Sequence, residues 1–272
     1  MLYSGWQIGL DIQAEGIRAV ALQWHRQGWQ LRHWWHLPLA LVANRRGILP
    51  QPAALREGLC TVRKQLPYRH RLRVSYPAQM TRQQKFSAPD ASLSEAEREH
   101  YLHQRLAPPQ AHAQPYPYYD YRQYGASVMV TSAQADEVNP LLDCFRDAHF
   151  MPESLTPCDQ VLGGLAVNNT PEGCRLVVHE EPEYWLWAEV EGTGLSGWQD
   201  KQQTASLADL CLALNTHPAE VALSQAYAQD NAPSGTKVLN AWQNIRFLQP
   251  PLPAHGGLYT IALGLALGTC QR

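Results

Sequence analysis

The chain opens with alternating apolar and polar positions. Ile8, Leu10 and Ile12 alternate, Ala19 and Ala21 interleave with Val20 and Leu22, and Trp29, Leu31, His33 and Trp35 alternate again. A period of two predicts strands. The intervening Gln13-Ala14-Glu15-Gly16 and Arg26-Gln27-Gly28 each end in a glycine, which adopts positive φ without steric cost, so three strands follow as a meander. The period then changes. Over Gln51–Gln65, Leu55, Leu59 and Val62, with Leu66 just beyond, fall on one helical face, Pro67 ends the helix, and Arg71–Tyr76 reads as a fourth strand.

From Thr81 the pattern predicts a short strand over Gln83–Ser87. Ser92 and Glu95 have capping-box spacing for a helix running to about Ala107, closed by Pro108-Pro109. Strands over Tyr118–Tyr121 and Ala126–Thr131 and a helix over Gln134–Ala148 follow. We expect residues 81–125 to form a strand-helix-strand insert between strands 71–76 and 126–131 of one sheet. Beyond Thr156-Pro157 come a helix (Asp159–Ala166), three strands (Arg175–His179, Tyr184–Glu189, Leu195–Trp198), a helix (Ser206–Thr216) and a strand (Glu220–Ser224). That order repeats the first, which predicts two lobes, 1–155 and 156–272. A small-residue helix from Tyr259 to Gly268 closes the chain.

At 272 residues, 45% of them hydrophobic, the chain can bury a large core, and its formal net charge of −2 supplies no global attraction for nucleic acid or an anionic membrane. The basic run Arg63-Lys64 to Arg73 reads as a solvated face, and no run reaches the roughly 20 apolar residues that span a bilayer. Six cysteines without a Cys-x-x-Cys pair suit a reducing compartment, so the expected location is cytoplasmic.

Chemical signals are few. Asp11 is a carboxylate at the end of a strand, a place where phosphate and metal sites begin but also where an aspartate caps its own turn. The pairs His33/His36 and His100/His103 have no third ligand at metal-site spacing, and no nucleophile elbow, P-loop or dinucleotide fingerprint occurs. Tyrosines 116, 118, 119, 121 and 124 read as rings packed on strands, since only Arg122 interleaves with them as a base-stacking platform would require.

Several strings carry a resemblance: Ile8-Gly9-Leu10-Asp11-Ile12, Leu93-Ser94-Glu95, Asp120-Tyr121, Val128-Met129-Val130-Thr131, Leu155-Thr156-Pro157, Glu183-Tyr184-Trp185-Leu186-Trp187-Ala188, Pro250-Pro251-Leu252-Pro253 and the segment Ile261–Gly268. With the element order they resemble the PilM-type actin-like pilus assembly proteins, most closely their shorter enterobacterial HofM branch. The resemblance spans nearly the whole chain. It implies an α/β, actin-like (ribonuclease H-like, duplicated) two-lobe fold with a small insert subdomain. It also implies a scaffold in a type IV pilus-like or DNA-uptake machine, docking the N-terminal cytoplasmic tail of a PilN/HofN-type inner-membrane partner and so peripheral to that membrane. The insert would then offer a peptide groove, placed at Arg82, Gln84, Phe86, Tyr119 and Tyr121. The nucleotide site would survive only as a vestige at Asp11, Gln13, His179 and Gly264. The family's first phosphate turn, Asp-x-Gly-Ser, is here Asp11-Ile12-Gln13-Ala14, and its second is His179-Glu180-Glu181, whose carboxylates oppose a phosphate. We therefore expect no enzyme activity and no cofactor. Two other readings stay open on the residues: an ATP/Mg-binding ATPase or kinase relative through Asp11, and a nucleic-acid binder through Arg63–Arg73.

Overall fold

The computed structural model describes residues 5–39, 48–90, 92–106, 116–190, 194–227 and 235–268. The link at Asn44-Arg45-Arg46 and the stretch from Ala107 through Pro115 lie outside the described residues. The chain divides into two compact units, residues 1–79 with 145–272, and residues 80–144.

In chain order the regular elements are β1 (Trp6–Gln13), β2 (Gly16–His25), β3 (Gly28–Pro38), α1 (Pro52–Arg63), β4 (His70–Tyr76), β5 (Thr81–Ser87), α2 (Glu95–Leu106), β6 (Tyr118–Tyr124), β7 (Ser127–Ala133) and α3 (Ala135–Asp147). There follow β8 (Ser154–Pro157), α4 (Cys158–Asn169), β9 (Leu176–Glu180), β10 (Tyr184–Glu189), β11 (Ser196–Asp200), α5 (Leu207–Ala213), β12 (Val221–Gln225), β13 (Lys237–Val238), β14 (Ile245–Phe247) and α6 (Thr260–Leu267).

The larger unit holds two sheets, ordered β14-β3-β2-β1-β4-β8 and β11-β10-β9-β12-β13. In each, an antiparallel meander is extended by a parallel strand beside its first member: β4 lies parallel to β1 and β12 parallel to β9. This is the duplicated order that the sequence suggests. The two halves are nevertheless one packed body. Helix α6 lies on β1, β2 and β4, α4 lies on β9, β10 and β11, and the two helices pack on each other. Residues 260–266 of α6 are buried on every side, which accounts for a segment with no polar face. Two glycines permit this approach: a Cβ on Gly9 would stand 1.9 Å from the Ala262 carbonyl oxygen, and one on Gly264 would stand 2.7 Å from Val161 Cγ1.

The expected lobe boundary at 155/156 is corrected on two counts. Strand β8 straddles it as part of the first sheet, paired with β4, and β14 returns from the second half to pair with β3. The shared α4–α6 core makes the two halves one unit.

The smaller unit is a three-stranded antiparallel sheet, ordered β5-β7-β6, with α2 on one face. The insert therefore runs to residue 144 rather than 125, because β7 is its central strand and pairs with β5 and β6, not with β4. The helix cap also moves by two residues. Ser94 and Glu97 form the capping box, the Ser94 amide donating to Glu97 Oε2 at 2.8 Å, while Ser92 donates from both its amide and its hydroxyl to Asp90 Oδ1.

We expect Gly9→Ala to lower the unfolding free energy by about 3 kcal/mol, because the obstructing atom is backbone. Gly163→Ala in α4, whose added Cβ meets only Ala188 Cβ at 3.5 Å, should be neutral or slightly stabilising. Urea midpoints at constant slope would check both.

Candidate functional site

Strands β1 and β2 are buried on both faces over most of their length, so a polar residue within them needs a partner. Arg18, near the start of β2, has 1% of its surface exposed. Its guanidinium reaches across to the second half of the unit. Nη1 donates to Glu181 Oε1 at 2.6 Å and Nη2 to Glu181 Oε2 at 3.2 Å, a two-pronged ion pair. Nη2 also donates to Glu15 Oε1 at 2.7 Å in the β1–β2 turn, and Nη1 lies 3.9 Å from Asp11 Oδ2.

Asp11 does not cap its own turn. It accepts from the Ser75 hydroxyl at 2.6 Å and from Gln13 Nε2 at 3.2 and 3.1 Å, and the Ile12 amide donates to that same serine oxygen at 3.1 Å. Gln13 in turn accepts from the Tyr184 hydroxyl at 2.8 Å, a second tie between the halves. On the far side His179 Nε2 lies 3.0 Å from Glu181 Oε1, His179 Nδ1 lies 3.2 Å from Ser224 Oγ, and Ser224 Oγ lies 2.7 Å from Thr260 Oγ1 of α6. Since an ionised Glu181 only accepts, the His179 Nε2–H donates to it. One polar chain thus runs from β4 through β1, β2, β9 and β12 to α6.

Its carboxyls are tuned in opposite directions. Burial is the largest influence on Glu181 and would raise it, but the Arg18 charge and the bonds from His179 and Arg18 outweigh it and hold the group at about 2. Asp11 lies above the usual carboxylate range, because burial and the nearby Glu181 charge outweigh Arg18, Ser75 and Gln13. Arg18 stays charged. Beside the network opens a cavity of about 650 Å³, bordered by Glu15, Glu183, Tyr184, Trp198, Asp200 and Tyr227 among others.

The structure therefore joins Asp11, Gln13 and His179 in one network. Gly264 lies apart from it, against Val161 and Leu165. Arg82, Gln84 and Phe86 of β5 and Tyr119 and Tyr121 of β6 share a single face of the small sheet, with Arg82 and Tyr119 both opposite Ser132 and Gln84 and Tyr121 both opposite Val130. It is the face that carries α2, and Phe86, Tyr119 and Tyr121 pack there with Leu102, Val128 and Val130. The pattern reading missed Arg18 and the partners Ser75 and Tyr184. The available signal was an arginine inside an otherwise apolar strand, Ile17-Arg18-Ala19-Val20.

Because Glu181 is depressed in the folded state, its contribution is present above its unfolded value near 4.5 and is lost as pH falls through about 2. Stability should decline across that window, and Arg18→Met should remove the decline. At neutral pH Arg18→Met should cost about 3 to 5 kcal/mol by stranding buried carboxylates, and Arg18→Met/Glu181→Met should recover part of the loss. Denaturant melts across a pH series would measure this.

No protein-family model matches the chain. The chain is 30% identical over 272 residues to the DNA utilization protein HofM of Escherichia coli (strain K12), covering 98% of this chain and 99% of that one. Among solved structures, the PilM-PilN type IV pilus biogenesis complex aligns with a TM-score of 0.70 at 16% identity, over 97% of this chain and 98% of that chain. A protein of actin-like ATPase fold and unknown function from Bacteroides thetaiotaomicron VPI-5482 aligns with a TM-score of 0.51 at 8% identity, over 97% of this chain and 96% of that chain. The duplicated sheets, the paired central helices and the small inserted sheet are thus an actin-like fold, and the chain belongs to the family of the DNA utilization protein HofM.

Proposed function

We propose that this protein is a non-enzymatic scaffold of a type IV pilus-like or DNA-uptake assembly machine, and that it docks the N-terminal cytoplasmic tail of a PilN/HofN-type inner-membrane partner. The relationship to HofM and the likeness to a PilM-PilN complex support the assembly role. One observation carries the non-enzymatic part: the Arg18 guanidinium occupies the place between the two phosphate turns and is already neutralised there by Glu15 and Glu181.

Mg-ATP does not fit these residues. Ala14 supplies no hydroxyl where the family's turn has serine, and Gln13, in place of its glycine, closes the backbone and folds its side chain onto Asp11. Among the described residues the cavity wall contains Glu15, Glu181, Glu183 and Asp200 and no lysine, arginine or histidine, so it repels a triphosphate. With its oxygens bonded to Ser75 and Gln13, Asp11 is also badly placed to order a magnesium-bound water.

For the partner tail the small sheet supplies the means. Among the described residues β5 and β6 are the outer strands beside β7, the positions at which an extended peptide adds main-chain hydrogen bonds to a sheet, and Arg82 and Gln84 lie on the face that carries α2.

The test is fluorescence anisotropy with a labelled peptide of the partner's cytoplasmic tail. Micromolar binding is expected, and it should vanish when residues 81–133 are replaced by a Gly-Ser link while the larger unit still melts cooperatively. Equal binding by that variant would remove the interaction from this sheet. Titration calorimetry with Mg-ATP should yield no heat of binding; micromolar affinity abolished by Asp11→Ala would make the protein a nucleotide binder instead.

A further inference from the structure

The starts of β1, β4, β8 and β14 and the β2–β3 hairpin all lie at the end of the first sheet opposite the Arg18 site. Arg26, Arg32, Lys64, Arg69, Arg71 and Arg246 are exposed along this end. They extend from β14 to β4, five neighbouring strands, a row about 19 Å wide at the usual strand spacing. Within residues 22–34, 63–73, 149–154 and 245–248 the single acidic residue is Glu153, which already faces Arg73 at 3.2 Å and Arg71 at 3.6 Å. A net charge of −2 therefore conceals two unlike ends, carboxylates around the cleft and cations here.

The same end displays apolar tips. Met151 and Tyr68 are 92% and 91% exposed, the highest values for large hydrophobic side chains among the described residues, and Leu248 and Trp24, toward the β14 side of the same end, are exposed at 42% and 37%. Local structure holds the tips outward. Just past the end of α3, His149 takes a φ of 56°, Phe150 turns in against Phe145 and His70 with Arg63 over its ring, and Met151 is left facing solvent. The loop bearing Tyr68 is pinned by the 2.8 Å contact between His70 Nδ1 and the Pro67 carbonyl.

We propose that this end of the first sheet docks directly on an anionic lipid bilayer, its arginines and lysine on lipid phosphates and Tyr68, Met151 and Leu248 in the headgroup region. A guanidinium pairs with phosphate through two parallel N–H bonds, and rings and aliphatic side chains flanked by cations partition into the bilayer interface. Single-stranded nucleic acid is the poorer match: Met151 and Leu248 offer no ring to a base, and the cations run across strand ends rather than along a ladder of aromatics. The surface belongs to the larger unit and does not depend on the partner docking proposed for the small sheet.

The experiment is flotation of the full chain with phosphatidylethanolamine vesicles containing phosphatidylglycerol, against pure phosphatidylcholine vesicles, across a salt series. Binding is expected to the anionic vesicles alone and to weaken with salt. Lys64→Gln/Arg69→Gln should lower the partition coefficient roughly 25-fold at about fivefold per cation, and Tyr68→Ser/Met151→Ser should lower it at least tenfold, both with unchanged thermal midpoints. No flotation with anionic vesicles, or flotation that Tyr68→Ser/Met151→Ser leaves intact, would overturn the proposal. So would salt-sensitive binding of single-stranded DNA by the same cations in the absence of any vesicle binding.

Discussion

A guanidinium with almost no contact with water is stable only where carboxylates surround it and every N–H finds an acceptor, and in this protein those carboxylates come from both halves of the fold. Arg18 is anchored in β2 of the first sheet; Glu181 immediately follows β9 of the second. The pair cannot form unless the halves are correctly apposed, and once formed its rupture leaves buried charge. Tyr184 to Gln13 repeats the tie with a neutral bond, and His179, Ser224 and Thr260 extend it to the central helix. The network gives the two sheets a defined relative position with side chains alone.

Beneath it, the α4–α6 contact does the corresponding work in the apolar core. Gly9 and Gly264 let α6 approach β1 and α4 closely enough for Ile261, Leu263 and Leu265 to be buried to within 1%. Close packing resists small displacements, and the buried ion pair makes opening costly. Stiffness of this kind suits the scaffold role proposed above. A nucleotide-gated machine would need a cleft that opens and closes.

Charge is distributed along the strands of the first sheet. At one strand end, Asp11, Glu15 and Glu181 converge on Arg18; at the other, arginines and a lysine from neighbouring strands and loops are collected with apolar side chains among them. Parallel β1, β4 and β8 point the same way, so each contributes its start to one end and its finish to the other. The strand order is what turns a nearly neutral chain into two unlike surfaces.

Local pattern was enough to determine the meanders, the helix over Pro52–Arg63, the repeated element order and the buried C-terminal helix, because periodicity and turn glycines act within a few residues. The strings at the two ends of the chain carried the family. Pairing across distance was not legible. Ala126–Thr131 reads as a strand whichever sheet receives it, and only the register with β5 and β6 assigns it to the small unit. Likewise Ser154–Pro157 and Ile245–Phe247 are too short for periodicity to mark and exist as strands because β4 and β3 offer open edges. Asp11, Gln13 and His179 were marked by their turns. Arg18 looked like one more residue of a strand. Its role rests on Glu181, 163 residues away, and a contact at that separation is set by how the sheets pack, which no local rule contains.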